Sequence, residues 1–180
     1  MRVVRLVKKA KKGSKEALLQ LITEQQDEYY RLALKYMGNS HDAMDAMEEM
    51  IVSLYRNIQQ LEKNDAFYSW SKTILVNQCK QMLRKVNKVT LIDNWEAIES
   101  HSDPSAVQNP FEQTEQRMDI QDLLLRVNAQ QREAIELKYF HDLDYETIAM
   151  MTQTSIGTVK SRVFNGLKKM REQARGGFDE

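Results

Sequence analysis

The stretch from Asp144 to Arg171, DYETIAMMTQTSIGTVKSRVFNGLKKMR, limits what this chain can fold into more than any other. Ile148, Ala149 and Met151, then Val159, Val163, Leu167 and Met170, recur three to four residues apart, which puts each set on one face of a helix. Thr152-Gln153-Thr154 between them is too short and too polar for anything but a tight turn. Asp144 and Ser155 stand where N-caps are needed, each with a side-chain oxygen for a free first-turn N–H. A capped helix, a three-residue turn and a longer capped helix make a helix-turn-helix, whose second helix enters the DNA major groove.

With the apolar set inward, the outward face of that second helix carries Thr158, Lys160, Ser161, Arg162, Phe164, Asn165 and Lys168. Lysine or arginine can bond guanine, asparagine can bond adenine through two hydrogen bonds, and a phenylalanine ring packs on a thymine methyl. Gly157, without a Cβ in the first turn, is expected to let the backbone approach the other helix or a phosphate closely. A plain helical hairpin with a solvated basic face has the same pattern.

Only six glycines and two prolines, Pro104 and Pro110, interrupt 180 residues, so the chain reads as all-α, one large or two small domains. Its 26 basic and 26 acidic residues cancel, which excludes a polycation and implies weak affinity for DNA on its own. The charge is segregated, however. Arg2, Arg5, Lys8, Lys9, Lys11, Lys12 and Lys15 open the chain without an acid, whereas the charged residues from Asp93 to Asp122 are almost all acidic. Cys79 is the single cysteine, so no internal disulfide forms, and a small buried apolar role suits it. No apolar run is long enough for a signal peptide core or a membrane span, so a cytoplasmic protein without membrane insertion is expected.

From the front, residues 2 to 12 predict a short basic amphipathic helix, with Gly13-Ser14 breaking and recapping the chain. Leu18 to Tyr36 continue a helical pattern to Gly38, a C-terminal stop, and Ser40 is expected to cap the next helix. That helix, about 41 to 61, is expected to bury a stripe including Ala43, Ala46, Met47, Met50, Ile51, Leu54 and Ile58. Asp42, Asp45, Glu48 and Glu49 form an acidic cluster on its other side, near the N-terminus the dipole favours. It is either a solvated, well-capped face or a docking surface for a basic partner.

A third helix from Phe67 carries Lys72, Lys80, Arg84, Lys85 and Lys88 and no acid. Cations interleaved with aromatics suit opened nucleic acid, although Trp70, four residues from Ile74, equally suits a core. From Val89 to Pro110 the pattern dissolves into an acidic stretch expected to be a flexible linker, with Trp95 and Ile98 as a local anchor. The second unit begins near Phe111, aligns Ile120, Leu123, Leu124 and Val127, and continues through an Asn128/Gln131 capping box. The expected domains are therefore 1–88 and 111–175, joined by 89–110. His41, His101 and His141 are scattered, no phosphate loop or nucleophile triad occurs, and neither a cofactor, a metal site nor an enzyme is expected.

Three blocks, ALKYMGNSHDAMDAMEEMIVSLYRNI, FYSWSKTILVNQCKQMLRK and IAMMTQTSIGTVKSRVFNGLKKMR, together resemble bacterial sigma factors of the extracytoplasmic function (ECF) group of the sigma-70 family. The resemblance spans nearly the whole chain. It implies a non-catalytic subunit that binds core RNA polymerase, directs it to promoter DNA for a stress-response regulon, and is held by an anti-sigma factor. Asp42, Asp45, Glu48, Glu49 and Leu54 would then dock on the polymerase clamp. Phe67, Trp70, Lys72, Asn77, Lys80, Arg84 and Lys85 would hold the opened -10 element, and Thr158, Lys160, Ser161, Arg162, Phe164, Asn165 and Lys168 would read the -35 element. The linker would thread toward the active-site channel. Glu48, Met44, Ser71, Gln81 and Asn128 depart from the pattern of that family. The residues alone also fit a stand-alone, dimerising helix-turn-helix regulator, which would have no evident use for residues 41 to 88.

Overall fold

The computed structural model describes residues 1–93 and 115–176, which fall in two compact units, residues 1–108 and 109–180. Every regular element among the described residues is helical. The acidic linker, with Trp95, Ile98, both prolines and the start at Phe111, lies almost wholly outside the described residues.

In the first unit α1 (Arg2–Lys11) ends at Gly13, whose φ of 97° suits a residue without a side chain. Ser14 then caps α2 (Lys15–Glu24), accepting the Ala17 N–H at 3.2 Å. One uninterrupted helix to Gly38 was expected; instead the chain breaks at Gln25 and restarts as α3 (Gln26–Met37). The break re-aims the apolar face. α2 packs on α1, while α3 packs on the two helices that follow. Gly38 closes α3 in the left-handed conformation, as expected.

α4 (Ser40–Asn57) is capped by Asn39 rather than by Ser40, with the Asn39 side-chain oxygen accepting the Asp42 N–H at 2.9 Å. Met47 and Ile51, expected in its buried stripe, are only half-buried. Two 3₁₀ turns, Ile58–Gln60 and Asn64–Ala66, lead into the long α5 (Phe67–Asp93). α3, α4 and α5 pack together around Tyr29, Leu32, Met50, Leu54, Phe67 and Leu75, all 1% exposed or less. Ser71 is the buried polar residue of this unit: its Oγ lies 2.7 Å from the Tyr29 phenol oxygen and donates to the Tyr68 carbonyl at 3.1 Å.

The second unit holds α6 (Glu115–Leu125), α7 (Ala129–Tyr139), α8 (Tyr145–Thr152) and α9 (Ile156–Gly176). The Asn128/Gln131 capping box is formed, so Asn128 works as an N-cap that proline at this position cannot provide. Arg132 donates to the Leu124, Leu125 and Val127 carbonyls and satisfies the otherwise unpaired end of α6. Leu124 and Val127 are buried, but Ile120, expected on the same face, is 43% exposed. α7 and α9 cross most closely at Gly166, where a Cβ would stand 2.6 Å from Ile135 Cδ1 and 3.2 Å from Gln131 Cβ. Gly157, expected to serve a close approach, has only Ser155 Oγ at 3.8 Å within range and packs against no other helix.

Candidate functional site

α8 and α9 form the helix-turn-helix anticipated from the sequence. Asp144 Oδ1 accepts the Thr147 N–H at 2.7 Å, and Ser155 Oγ accepts the Thr158 N–H at 3.1 Å. The turn between them places Gln153 at φ 53°, and Thr152 and Thr154 share a hydroxyl contact at 3.0 Å. Val159 and Val163 are buried, while Leu167 and Met170 are half-buried. On the other side Lys160, Ser161, Phe164, Asn165 and Lys168 are exposed together, Phe164 to 69%. Arg162 is half-buried at the edge of that face, and Thr158 is exposed with its hydroxyl 2.8 Å from Ser155 Oγ inside the cap.

Lys138 and Tyr145 join this face, although the sequence reading passed over them. The Lys138 and Lys160 ammonium groups lie 4.8 and 5.7 Å from the centre of the Tyr145 ring, so residues of α7, α8 and α9 meet at one aromatic platform. The signal was a basic residue and an aromatic seven apart, a spacing invisible as a pair until α7 and α8 are folded against each other.

A second basic surface lies on α5. Asn77, Gln81, Arg84 and Lys88 follow at i, i+4, i+7 and i+11 and are all exposed, with Lys85 beside them. Lys72 and Lys80 are half-buried, Lys80 over the Tyr36 ring at 5.6 Å. Trp70 is half-buried, 6.2 Å from the Phe67 ring. Phe67, expected to touch nucleic acid, is 0% exposed; it is a core residue of the first unit and is corrected accordingly.

α4 presents the acidic face. Glu48 and Glu49 are exposed, and Asp42 and Asp45 are half-buried. Leu54, placed in the buried stripe by the helical period but among the docking residues by the family resemblance, is fully buried and faces the core, on the side of α4 shared with Ala43, Ala46 and Met50, and the docking role is corrected accordingly. The apolar residues that do face outward are Met44, Val52 and Tyr55, between 43% and 56% exposed, and Met44, Glu48, Val52 and Tyr55 run at i, i+4, i+8 and i+11. Met44, Val52 and Tyr55 thus lie along one exposed line of α4, with Glu48 between them. His41, Asp42 and Asp45 bring ligand atoms within 4.8 Å of one another on the first two turns of α4, a carboxylate placement the helix dipole already favours.

The described residues thus combine a helix-turn-helix, a second basic helix and an acidic, partly apolar helix, the set of features found in proteins of transcription. Residues 21–89 match the family model for sigma-70 region 2, and residues 117–170 match that for sigma-70 region 4. The chain is 32% identical to the RNA polymerase sigma factor SigV of Bacillus subtilis over 165 residues, covering 92% of this chain and 95% of that one. It is 27% identical to the ECF RNA polymerase sigma factor SigW of the same organism, covering 97% and 98%. A similar fold is seen in the sigma factor RpoE of Bartonella quintana, solved with the anti-sigma factor NepR: TM-score 0.66, 22% identity, 87% of this chain and 95% of that one. CnrH, solved with the cytosolic domain of CnrY, gives a TM-score of 0.64 at 16% identity over the full length of both.

The chain belongs to the ECF group of RNA polymerase sigma factors, and its function is to direct transcription initiation. The family is not one of catalytic enzymes. No helix among the described residues is long and apolar enough to cross a membrane.

Proposed function

We propose that the three faces divide the work of initiation among themselves. The Met44, Asp45, Glu48, Glu49, Val52 and Tyr55 face of α4 docks on a basic, partly apolar surface of core RNA polymerase, while Leu54 holds α4 in the core behind it. The α5 face with Asn77, Arg84 and Lys85, with Trp70, Lys72 and Lys80 at its flank and the 3₁₀ turns before it, holds the opened -10 element by phosphate contact and base stacking. α9 reads the -35 element through Lys160, Ser161, Arg162, Phe164 and Asn165, with Thr158, Lys168, Lys138 and Tyr145 beside them toward the phosphates. The carrying observation is the exposed set Lys160, Ser161, Phe164 and Asn165 on the second of two N-capped helices. Asparagine at position 165 favours adenine at its base step.

On the same reading the chain acts in the cytoplasm on a stress-response regulon and is held inactive by an anti-sigma factor, the kind of partner that RpoE of Bartonella quintana has in its solved complex. The test is reconstitution with core polymerase, mapping transcript starts across genomic DNA. New starts that share an upstream motif at constant spacing are expected. Lys160→Ala removes those starts and leaves polymerase binding intact. A chain that joins no polymerase but footprints DNA alone would be a helix-turn-helix regulator instead.

A further inference from the structure

The basic helix that opens the chain has no part in the reading above, and it precedes the residues matched by region 2. Its apolar side is used inside the first unit: Leu6, Val7 and Ala10 are buried. Opposite them Arg5, Lys8, Lys9 and Lys12, at i, i+3, i+4 and i+7, are all exposed. None has an ion-pair partner among the described residues. Like charges at these spacings repel one another along a helix, so the face is relieved when a polyanion covers it.

α1 is also fixed in position. Lys11 Nζ donates to the Leu61 carbonyl and Gln59 Nε2 to the Lys11 carbonyl, both at 2.5 Å, and Arg2 pairs with Glu24 at 2.8 Å. Two of these three anchors fall on residues 59 and 61, in the segment that leads into α5. The cations at 8, 9 and 12 thus sit within three residues of Lys11, at the junction with that segment. With Leu6, Val7 and Ala10 buried and Val3 and Val4 half-buried, the apolar side of α1 is largely used within the first unit and offers little to insert into a bilayer. From Arg5 to Lys12 the stripe spans about 10 Å at about 1.5 Å per residue, enough to follow more than one phosphate of a strand.

The geometry points to α1 as a phosphate-binding stripe for the promoter strand beside the opened -10 element, making contacts that hold DNA without reading its sequence. This rests on the assignment of the -10 element to α5 and the turns before it. The test uses holoenzyme assembled from the full chain and core polymerase, on a promoter mapped in the reconstitution, with the binding constant followed against KCl concentration. The triple variant Lys8→Gln/Lys9→Gln/Lys12→Gln lowers the log–log salt slope by about 2, since each single-strand phosphate contact contributes about 0.7. It keeps the same start sites. Lys12→Gln alone lowers the slope by about 0.7, and Lys8→Arg/Lys9→Arg/Lys12→Arg retains the original slope.

An unchanged slope in the Gln variants overturns the inference. So does weaker binding to core polymerase at an unchanged slope, which assigns the stripe to an acidic protein surface. Wild-type binding to phosphatidylserine vesicles that the triple variant loses, again at an unchanged DNA slope, assigns it to lipid. A wild-type holoenzyme that makes no new start removes the sigma reading itself, an outcome separate from any change of slope.

Discussion

Ser71 has one hydroxyl proton, and it goes to the Tyr68 carbonyl; the Tyr29 O–H must therefore be the donor in the 2.7 Å contact between the two side chains. The direction makes the two truncations unequal. Ser71→Ala strands a buried donor and costs about 1–3 kcal/mol, whereas Tyr29→Phe leaves only an unfilled lone pair on a hydroxyl that still donates, and costs less. Tyr29→Phe/Ser71→Ala should recover much of the single Ser71→Ala loss in urea denaturation. Burial raises both the Tyr29 phenol and the Cys79 thiol, the thiol from 9.0 to about 11. Below pH 9 Cys79 is protonated in both folded and unfolded chains and contributes no slope. Between pH 9 and 11 the unfolded chain gives up a proton that the folded chain keeps, so stability falls as pH rises. Urea midpoints at pH 8 to 10.5 should show that decline, with a shallower one in Cys79→Ala.

At the scale of elements, Gly166 decides how closely α9 lies on α7. Gly166→Ala gains about 1 kcal/mol of helix propensity but forces a methyl against buried Ile135, a strain of about 1–3 kcal/mol. A net loss of about 1 kcal/mol is expected. Adding Ile135→Val removes the Cδ1 atom at 2.6 Å, and the double variant should melt higher than Gly166→Ala alone. Helix positions were legible in the sequence because caps and apolar periods are local: Ser14, Gly38, Asp144, Ser155 and the Asn128/Gln131 box all stand where expected. The break at Gln25 was not, since no glycine or proline marks it and the apolar period runs straight through. Nor were the roles of Gly157 and Gly166 separable, because which glycine meets a neighbour depends on how α7 crosses α9. Leu54 and Phe67 were misplaced for a related reason. An apolar residue next to a functional cluster serves the core as readily as the surface, and only the direction of its face decides; the outward stripe of Met44, Val52 and Tyr55 is visible once Ala43, Ala46 and Met50 are known to point in.

For the whole molecule, zero net charge with basic residues gathered on α1, α5 and α9 means that each nucleic-acid contact is locally favourable while the long-range field is weak. On the proposed reading, joining the α5 and α9 contacts in one chain makes the second contact intramolecular, so that the pair would bind promoter DNA far better than either by itself. The free chain is expected to leave mapped promoters unprotected in footprinting at about 0.15 M salt, a condition where the screening length is about 8 Å. The same concentration of chain should protect them once core polymerase is added, and charge reversal of Glu48 and Glu49 should abolish that gain.

Trp70 and Trp95 are the two tryptophans of the chain, and both precede residue 109, where the second unit begins. Intrinsic emission excited at the indole band therefore comes from residues before 109, and the helix-turn-helix, which has no tryptophan, is optically dark. Trp70, half-buried beside Phe67 on the helix proposed to hold opened DNA, is a built-in fluorophore at the place where strand capture would quench it. If α5 holds the -10 element as proposed, Trp70 would report on its melting without a label, and an indole introduced into the dark unit would give a second, independent channel for the proposed -35 contact.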